Sequence, residues 1–84
     1  MAVGDRIKRV RNFRGMTMKE LGMAVGFDEK SADVRVAQYE NNSRKPKEEL
    51  MRKIAAALDV SVAYLEDPTM NDAEGILHAL FELD

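Results

Sequence analysis

TMKELGMAVGFDEKSADVRVAQYENNSRKP, running from Thr17 to Pro46, contains two short helical patterns and the polar connection between them. It opens on a capping box, Thr17-Met18-Lys19-Glu20. The Thr hydroxyl can accept from the third helical N–H while the Glu carboxylate returns to the cap. A helix is therefore predicted from Met18 to about Val25, with Leu21, Ala24 and Val25 as its inward stripe. Gly22 falls inside it, where glycine costs up to ~1 kcal/mol, so it is expected where another backbone approaches closely. Gly26 suits a left-handed C-cap, and Phe27 is placed to cover the core just beyond it. Asp28-Glu29-Lys30 is a polar connector, and Ser31 is the natural N-cap of a second helix reaching about Asn41.

The second helix has two unlike faces. With Val36 as the inward reference, steps of 100° put Ala32, Tyr39 and Glu40 on the same side. The opposite arc carries Ser31, Val34, Gln38 and Asn41, flanked by Arg35 and Ala37. Such an arc suits the edges of base pairs: Gln pairs with adenine N6/N7, Arg with guanine O6/N7, and Val covers a thymine methyl. Taken alone, the helix also admits a simpler reading, a solvated face with an incidental valine. Beyond it, Asn42 is expected in a left-handed conformation, and Pro46 in the first turn of the next helix. Arg44, Lys45 and Lys47 are a dense cation group of the kind that grips phosphates without carrying sequence information. Two short helices, the second flanked by cations, make the pattern of a helix-turn-helix DNA reader.

The flanking segments read as scaffold. A first helix is predicted from Asp5 to Phe13 or Arg14, with Ile7 and Val10 buried, Gly15 as its stop, and Arg6, Lys8, Arg9 and Arg14 outside. That basic exterior fits a phosphate-facing side and a merely solvated one equally well. A fourth helix, Lys47 to Leu58, carries Leu50, Ile54 and Leu58, with Met51 and Ala55 widening the stripe. Ser61 then caps a brief helix with Val62, Tyr64 and Leu65, and Glu66-Asp67-Pro68-Thr69 reads as a linker. A last helical pattern from Asn71 or Asp72 holds Ile76, Leu77, Leu80, Phe81 and Leu83. So apolar a segment must cover its own core, a second subunit or residues beyond Asp84, and the sequence leaves all three open.

Eighty-four residues make one small domain, and 45% apolar with 33% charged residues is ordinary for a globular chain. There is no Cys, no apolar run near the roughly 20 residues of a membrane span, and no signal-peptide pattern; a cytoplasmic protein is expected. The net charge of −2 is unevenly distributed. Residues 1–47 carry eleven Lys/Arg against six Asp/Glu, whereas residues 48–84 carry two against nine, giving +5 and −7. The basic half is the half with the helix pair, and binding depends on the local field rather than on the total. An enzyme is not expected: His78 stands alone, and no glycine-rich phosphate loop or Ser with a neighbouring base is present. Glu74, His78 and Glu82 share a helical spacing that can hold a metal, but an acidic solvated face accounts for them. No metal, cofactor or small-molecule ligand is expected.

Residues Gly4 to Leu65 resemble the phage-repressor-like helix-turn-helix regulators, the lambda-repressor and Cro-like class. The resemblance is carried by Arg6-Ile7, Val10-Arg11, the Gly15–Leu21 segment, Gly26, Val36-Ala37-Gln38-Tyr39-Glu40-Asn41, Arg44-Lys45-Pro46, Leu50, Ile54-Ala55 and Leu58-Asp59-Val60-Ser61. It implies an all-α, five-helix DNA-binding domain, assigned to residues 1–67; the linker and C-terminal apolar helix of residues 68–84 are read from the residue pattern alone. It also implies that the third helix lies in the major groove while the second bridges the backbone. Position by position, it puts Asp33, Val34, Arg35 and Gln38 at bases, and Thr17, Met18, Lys19, Asn41, Ser43, Arg44 and Lys45 near the phosphates. It pairs Arg11 with Glu40 structurally. The implied partner is double-stranded DNA, an operator of two-fold symmetry bound by a homodimer. An antitoxin-like or adaptor module on the same fold, without specific DNA binding, is the alternative. Three features depart from the family pattern: Met18 stands where Gln is frequent, Asp33 adds an acid to the reading face, and the connector Phe27–Ser31 makes Gly26-to-Tyr39 about four residues longer than usual.

Overall fold

The computed structural model describes residues 2–66. Five helices occupy them, with no strand among the described residues: α1 (Val3–Phe13), α2 (Met18–Ala24), α3 (Ala32–Glu40), α4 (Glu48–Leu58) and α5 (Val62–Glu66). Residues 68–84, where the linker, the C-terminal apolar helix and the Glu74-His78-Glu82 spacing were expected, lie outside the described part.

One core serves all five helices. Ile7 and Val10 of α1, Leu21 of α2, Val36 of α3, Met51, Ile54 and Leu58 of α4, and Tyr64 and Leu65 of α5 meet there, with Val25 beside them. Leu50, assigned to the same stripe, is only half-buried, and Ala24, expected inward on α2, is exposed. The end of α2 explains the second difference. The helix stops at Ala24, and the chain turns through Val25 and the left-handed Gly26 (φ 98°), which leaves Ala24 on the outer side.

The caps follow the local chemistry. At α2, Glu20 N–H donates to Thr17 Oγ1 (3.0 Å) and Thr17 N–H to Glu20 Oε1 (2.8 Å), a complete capping box. At α1, the Asp5 carboxylate accepts from Ala2 N–H (3.2 Å), so the helix begins at Val3 rather than at Asp5. Helix α4 begins at Glu48, with extended Lys47 as its N-cap, and Pro46 lies buried before the helix instead of in its first turn. Ser61 Oγ accepts from Tyr64 N–H (3.0 Å) and caps α5. Ser31 occupies the N-cap position of α3, but its hydroxyl points back to the Asp28 carbonyl and caps nothing. Ser31 N–H also donates to that carbonyl (3.0 Å), so residues 28–31 close a turn on themselves before α3 starts.

One arginine placed outside α1 by periodicity, Arg6, is not there, whereas Arg14 is exposed as expected. Arg6 is fully buried: Nη1 donates to the Tyr64 carbonyl (2.9 Å), and the guanidinium carbon lies 5.7 Å from the Tyr64 ring centroid. The carbonyl of short α5 needs a donor, and an Arg stem is long and apolar enough to cross the core to supply it. Arg14 Nε donates to the Leu58 carbonyl (2.9 Å) and Nη2 to that of Asp59 (3.2 Å). This cation at the C-terminus of α4 answers the negative end of the helix dipole. Asp59 itself turns left-handed (φ 60°) to end the helix.

Helices α2 and α3 touch backbone to backbone. A Cβ placed on Gly22 would sit 2.7 Å from both Cβ and the carbonyl oxygen of Ala32, the first residue of α3. Gly22→Ala must therefore push α3 away, and the clash outweighs the ~1 kcal/mol that Ala gains in helix propensity. Urea unfolding of Gly22→Ala is expected to show a net loss of about 1–3 kcal/mol; a variant as stable as the parent would show that this contact is not tight.

Candidate nucleic-acid interface

Helix α3 is fixed from behind. Arg11 on α1 and Glu40 at the end of α3 are 8% and 6% exposed and form a two-pronged ion pair: Nε donates to Oε2 at 2.5 Å and Nη2 to Oε1 at 3.1 Å. The remaining prong, Nη1, donates to the Met16 carbonyl (2.8 Å) at the entry to α2. One guanidinium thus ties α1, α3 and the approach to α2. Asn42, left-handed at φ 65°, adds a second tie: its Oδ1 accepts from Gly4 N–H (3.0 Å) in the first turn of α1. Glycine is required there, because a Cβ on Gly4 would come within 2.3 Å of the Tyr39 carbonyl oxygen. The close approach at Gly22 was legible in the sequence, whereas Asn42 as a cap reaching back 38 residues has no local signal.

With Ala32, Val36, Tyr39 and Glu40 buried, α3 presents Asp33, Val34, Gln38 and Asn41 away from the core. Val34 is 56% exposed, among the most exposed large apolar side chains of the described residues. Asp33 is exposed, and its Oδ1 accepts from Val34 N–H (2.8 Å). Gln38 is half-buried, and its carbonyl accepts from Arg44 N–H (3.1 Å), folding the basic loop back along the helix. Asn41 Oδ1 accepts from Ser43 N–H (2.8 Å), the side-chain turn that leads into exposed Ser43, Arg44 and Lys45. The Arg44 guanidinium stands 6.0 Å from the centroid of Tyr39.

The α2 side is less open. Thr17 is exposed with its oxygen engaged in the cap, and Met18 is half-buried against the core. Lys19 is exposed and paired with Glu29 of the connector (3.1 Å). Two features of that connector escaped sequence reasoning. Glu29 neutralises a cation on the same surface, and Phe27 carries the Arg35 guanidinium 3.7 Å from its ring centroid. Phe27 is also stacked with Tyr39, centroids 6.3 Å apart with 25° between the planes. An aromatic directly after a glycine C-cap, and a connector longer than the family pattern, are the signals that pointed to this region. Among the described residues, no cluster of three His, Cys, Asp or Glu is arranged to hold a metal. None of their helices is long and apolar enough to cross a membrane.

Comparison with known proteins agrees with this geometry. A family model described as helix-turn-helix matches residues 7–65. No curated protein matches the chain. Among solved structures, the transcriptional regulator BswR is 38% identical, covers 94% of this chain and 75% of its own, and superposes with a TM-score of 0.80. The P22 c2 repressor bound to synthetic operator 9T is 27% identical over 80% of this chain and 96% of its own, with a TM-score of 0.70. The N-terminal DNA-binding domain of SinR from Bacillus subtilis is 31% identical over 80% of this chain and 93% of its own, with a TM-score of 0.67. The chain belongs to the helix-turn-helix family of phage-repressor-like transcriptional regulators.

Proposed function

We propose that the protein regulates transcription by laying the outer arc of α3 in the major groove of an operator. The observation that carries this reading is the two-faced α3: a buried side locked by Arg11–Glu40, and an outer side with Val34 exposed between polar side chains. Supporting it, the P22 c2 repressor is known in complex with an operator and SinR in complex with DNA. Gln38 pairs with adenine, Val34 covers a thymine methyl, Arg35 meets guanine, and Asp33 accepts from cytosine N4. Asn41, Ser43, Arg44 and Lys45 hold one stretch of backbone, and Thr17 and Lys19 the other. Met18, half-buried, contributes only an apolar edge to that second contact.

A homodimer on a two-fold-related operator completes the reading, with half-sites one helical turn, about 10 bp, or a multiple apart. The protein performs no chemistry of its own and works where the DNA is, in the cytoplasm of a bacterial cell. Selection from a random duplex pool tests the whole of this. Enrichment of paired half-sites is expected, and no binding to any duplex at low salt would refute it.

Gln38→Ala should remove the preference at one operator position, at a cost of ~1–3 kcal/mol, with little change on random DNA. Fluorescence polarisation on both duplexes distinguishes this from an equal loss on the two, which would deny Gln38 a reading role. Arg44→Ala and Lys45→Ala should instead weaken all sequences alike, each flattening the slope of log K against log salt by about 1. Glu29→Gln should release Lys19 and tighten binding to every duplex by a factor of about 2–5 at low salt. Titration against random DNA checks that gain, and an unchanged affinity would place Lys19 away from the phosphates.

A further inference from the structure

The lengthened connector contributes more than a spacer. Phe27, its first residue, packs on Tyr39 of the buried face of α3 on the one hand and carries the Arg35 guanidinium on the other. At 3.7 Å from guanidinium carbon to ring centroid, the two groups are in direct stacking contact. No hydrogen bond or ion pair engages the Arg35 side chain among the described residues, and the side chain is not buried. It is held by its face alone, and its N–H edge is unspent.

A guanidinium fixed by its face presents a rigid fork of donors, the geometry that matches the paired acceptors O6 and N7 of guanine. We infer that Phe27 is a positioning residue for base recognition: it pre-sets Arg35 on the outer flank of α3 to read a guanine edge. This rests on the DNA-reading function proposed above. Physically, a free Arg side chain must surrender its rotamer freedom on binding, whereas one already laid on an aromatic ring has surrendered much of it beforehand. Specificity at one operator position is thereby determined partly by a residue that touches no base and stands eight positions before the arginine it serves. Phosphate oxygens also accept from such a fork, but Arg35 flanks the arc of Val34 and Gln38 rather than the Ser43–Lys45 loop, so the base edge is the assigned partner.

The test uses the full chain with Phe27→Leu, Phe27→Tyr and Arg35→Ala in selections from a random duplex pool. It is accompanied by NMR of the free proteins and by thermal melting to confirm folding. The parent should enrich a guanine at one half-site position, and Arg35→Ala should erase that preference by tenfold or more. Phe27→Leu should reduce the preference about two- to tenfold at that same position only, while Phe27→Tyr keeps it. In the Arg35→Ala background, Phe27→Leu should add nothing. The Arg35 side-chain protons should show upfield ring-current shifts in the parent and in Phe27→Tyr, and lose them in Phe27→Leu.

An unchanged guanine preference in Phe27→Leu, or a loss spread evenly over all sequences, overturns the inference and leaves DNA reading intact. So does the absence of ring-current shifts in the parent. A parent that enriches no sequence overturns the DNA-reading function itself, and this assignment falls with it.

Discussion

Arg11 and Glu40 hold opposite charges in a place where water barely reaches, and the disposition of the other helices follows from that pair. Burying two ions costs several kcal/mol each, and the return depends on geometry and on how many of the remaining donors find acceptors. Here the guanidinium meets both carboxylate oxygens and spends its third prong on the Met16 carbonyl. An apolar pair of the same volume would fill the space and often match the stability. It would not reach Met16, nor fix the angle at which the end of α3 meets α1. What the pair contributes is chiefly position, and position is what a groove-reading helix needs.

The supporting contacts work in the same way, by replacing adaptable packing with short directional bonds. Asn42 reaches across to the first turn of α1, Arg14 covers the carbonyls that end α4, and Arg6 crosses the core to the last turn of α5. Each joins elements far apart in the chain, and each uses a polar side chain where a domain this small lacks the volume for a deeper apolar core. Three of the arginines in the basic N-terminal half are therefore structural. Arg44, Lys45 and Lys47 of the α3–α4 loop are exposed and supply positive charge for the proposed contact with phosphates.

This division explains what could be read from the chain and what could not. Capping boxes, glycine stops and the two faces of α3 are local, and they came through: Thr17 with Glu20, Gly26, and the inward set Ala32, Val36, Tyr39, Glu40. Arg6 is misplaced by periodicity, which assigns a charged residue to solvent and has no knowledge of a carbonyl 58 residues away. Ser31 was given a capping bond because the residue type favours one; the turn at residues 28–31 claimed its hydroxyl first. On the candidate interface, the outward residues of α3 were legible, whereas the pairing of Lys19 with Glu29 and the stacking of Arg35 on Phe27 needed the shape of the connector.

The contact of Gly22 with Ala32 bears on how such a protein meets a duplex that does not fit it. Two helices touching through their backbones have no long side chains between them to change rotamer, so the joint is stiff in the direction that would re-aim α3. In the homodimer proposed above, a mismatch between the spacing of two reading helices and the pitch of a given DNA is then not absorbed at this joint. It is transferred to the duplex as bend and twist, whose energy depends on base steps that no side chain touches. In that proposed assembly, the stiffness of one glycine contact turns the mechanical compliance of DNA into part of the message that is read.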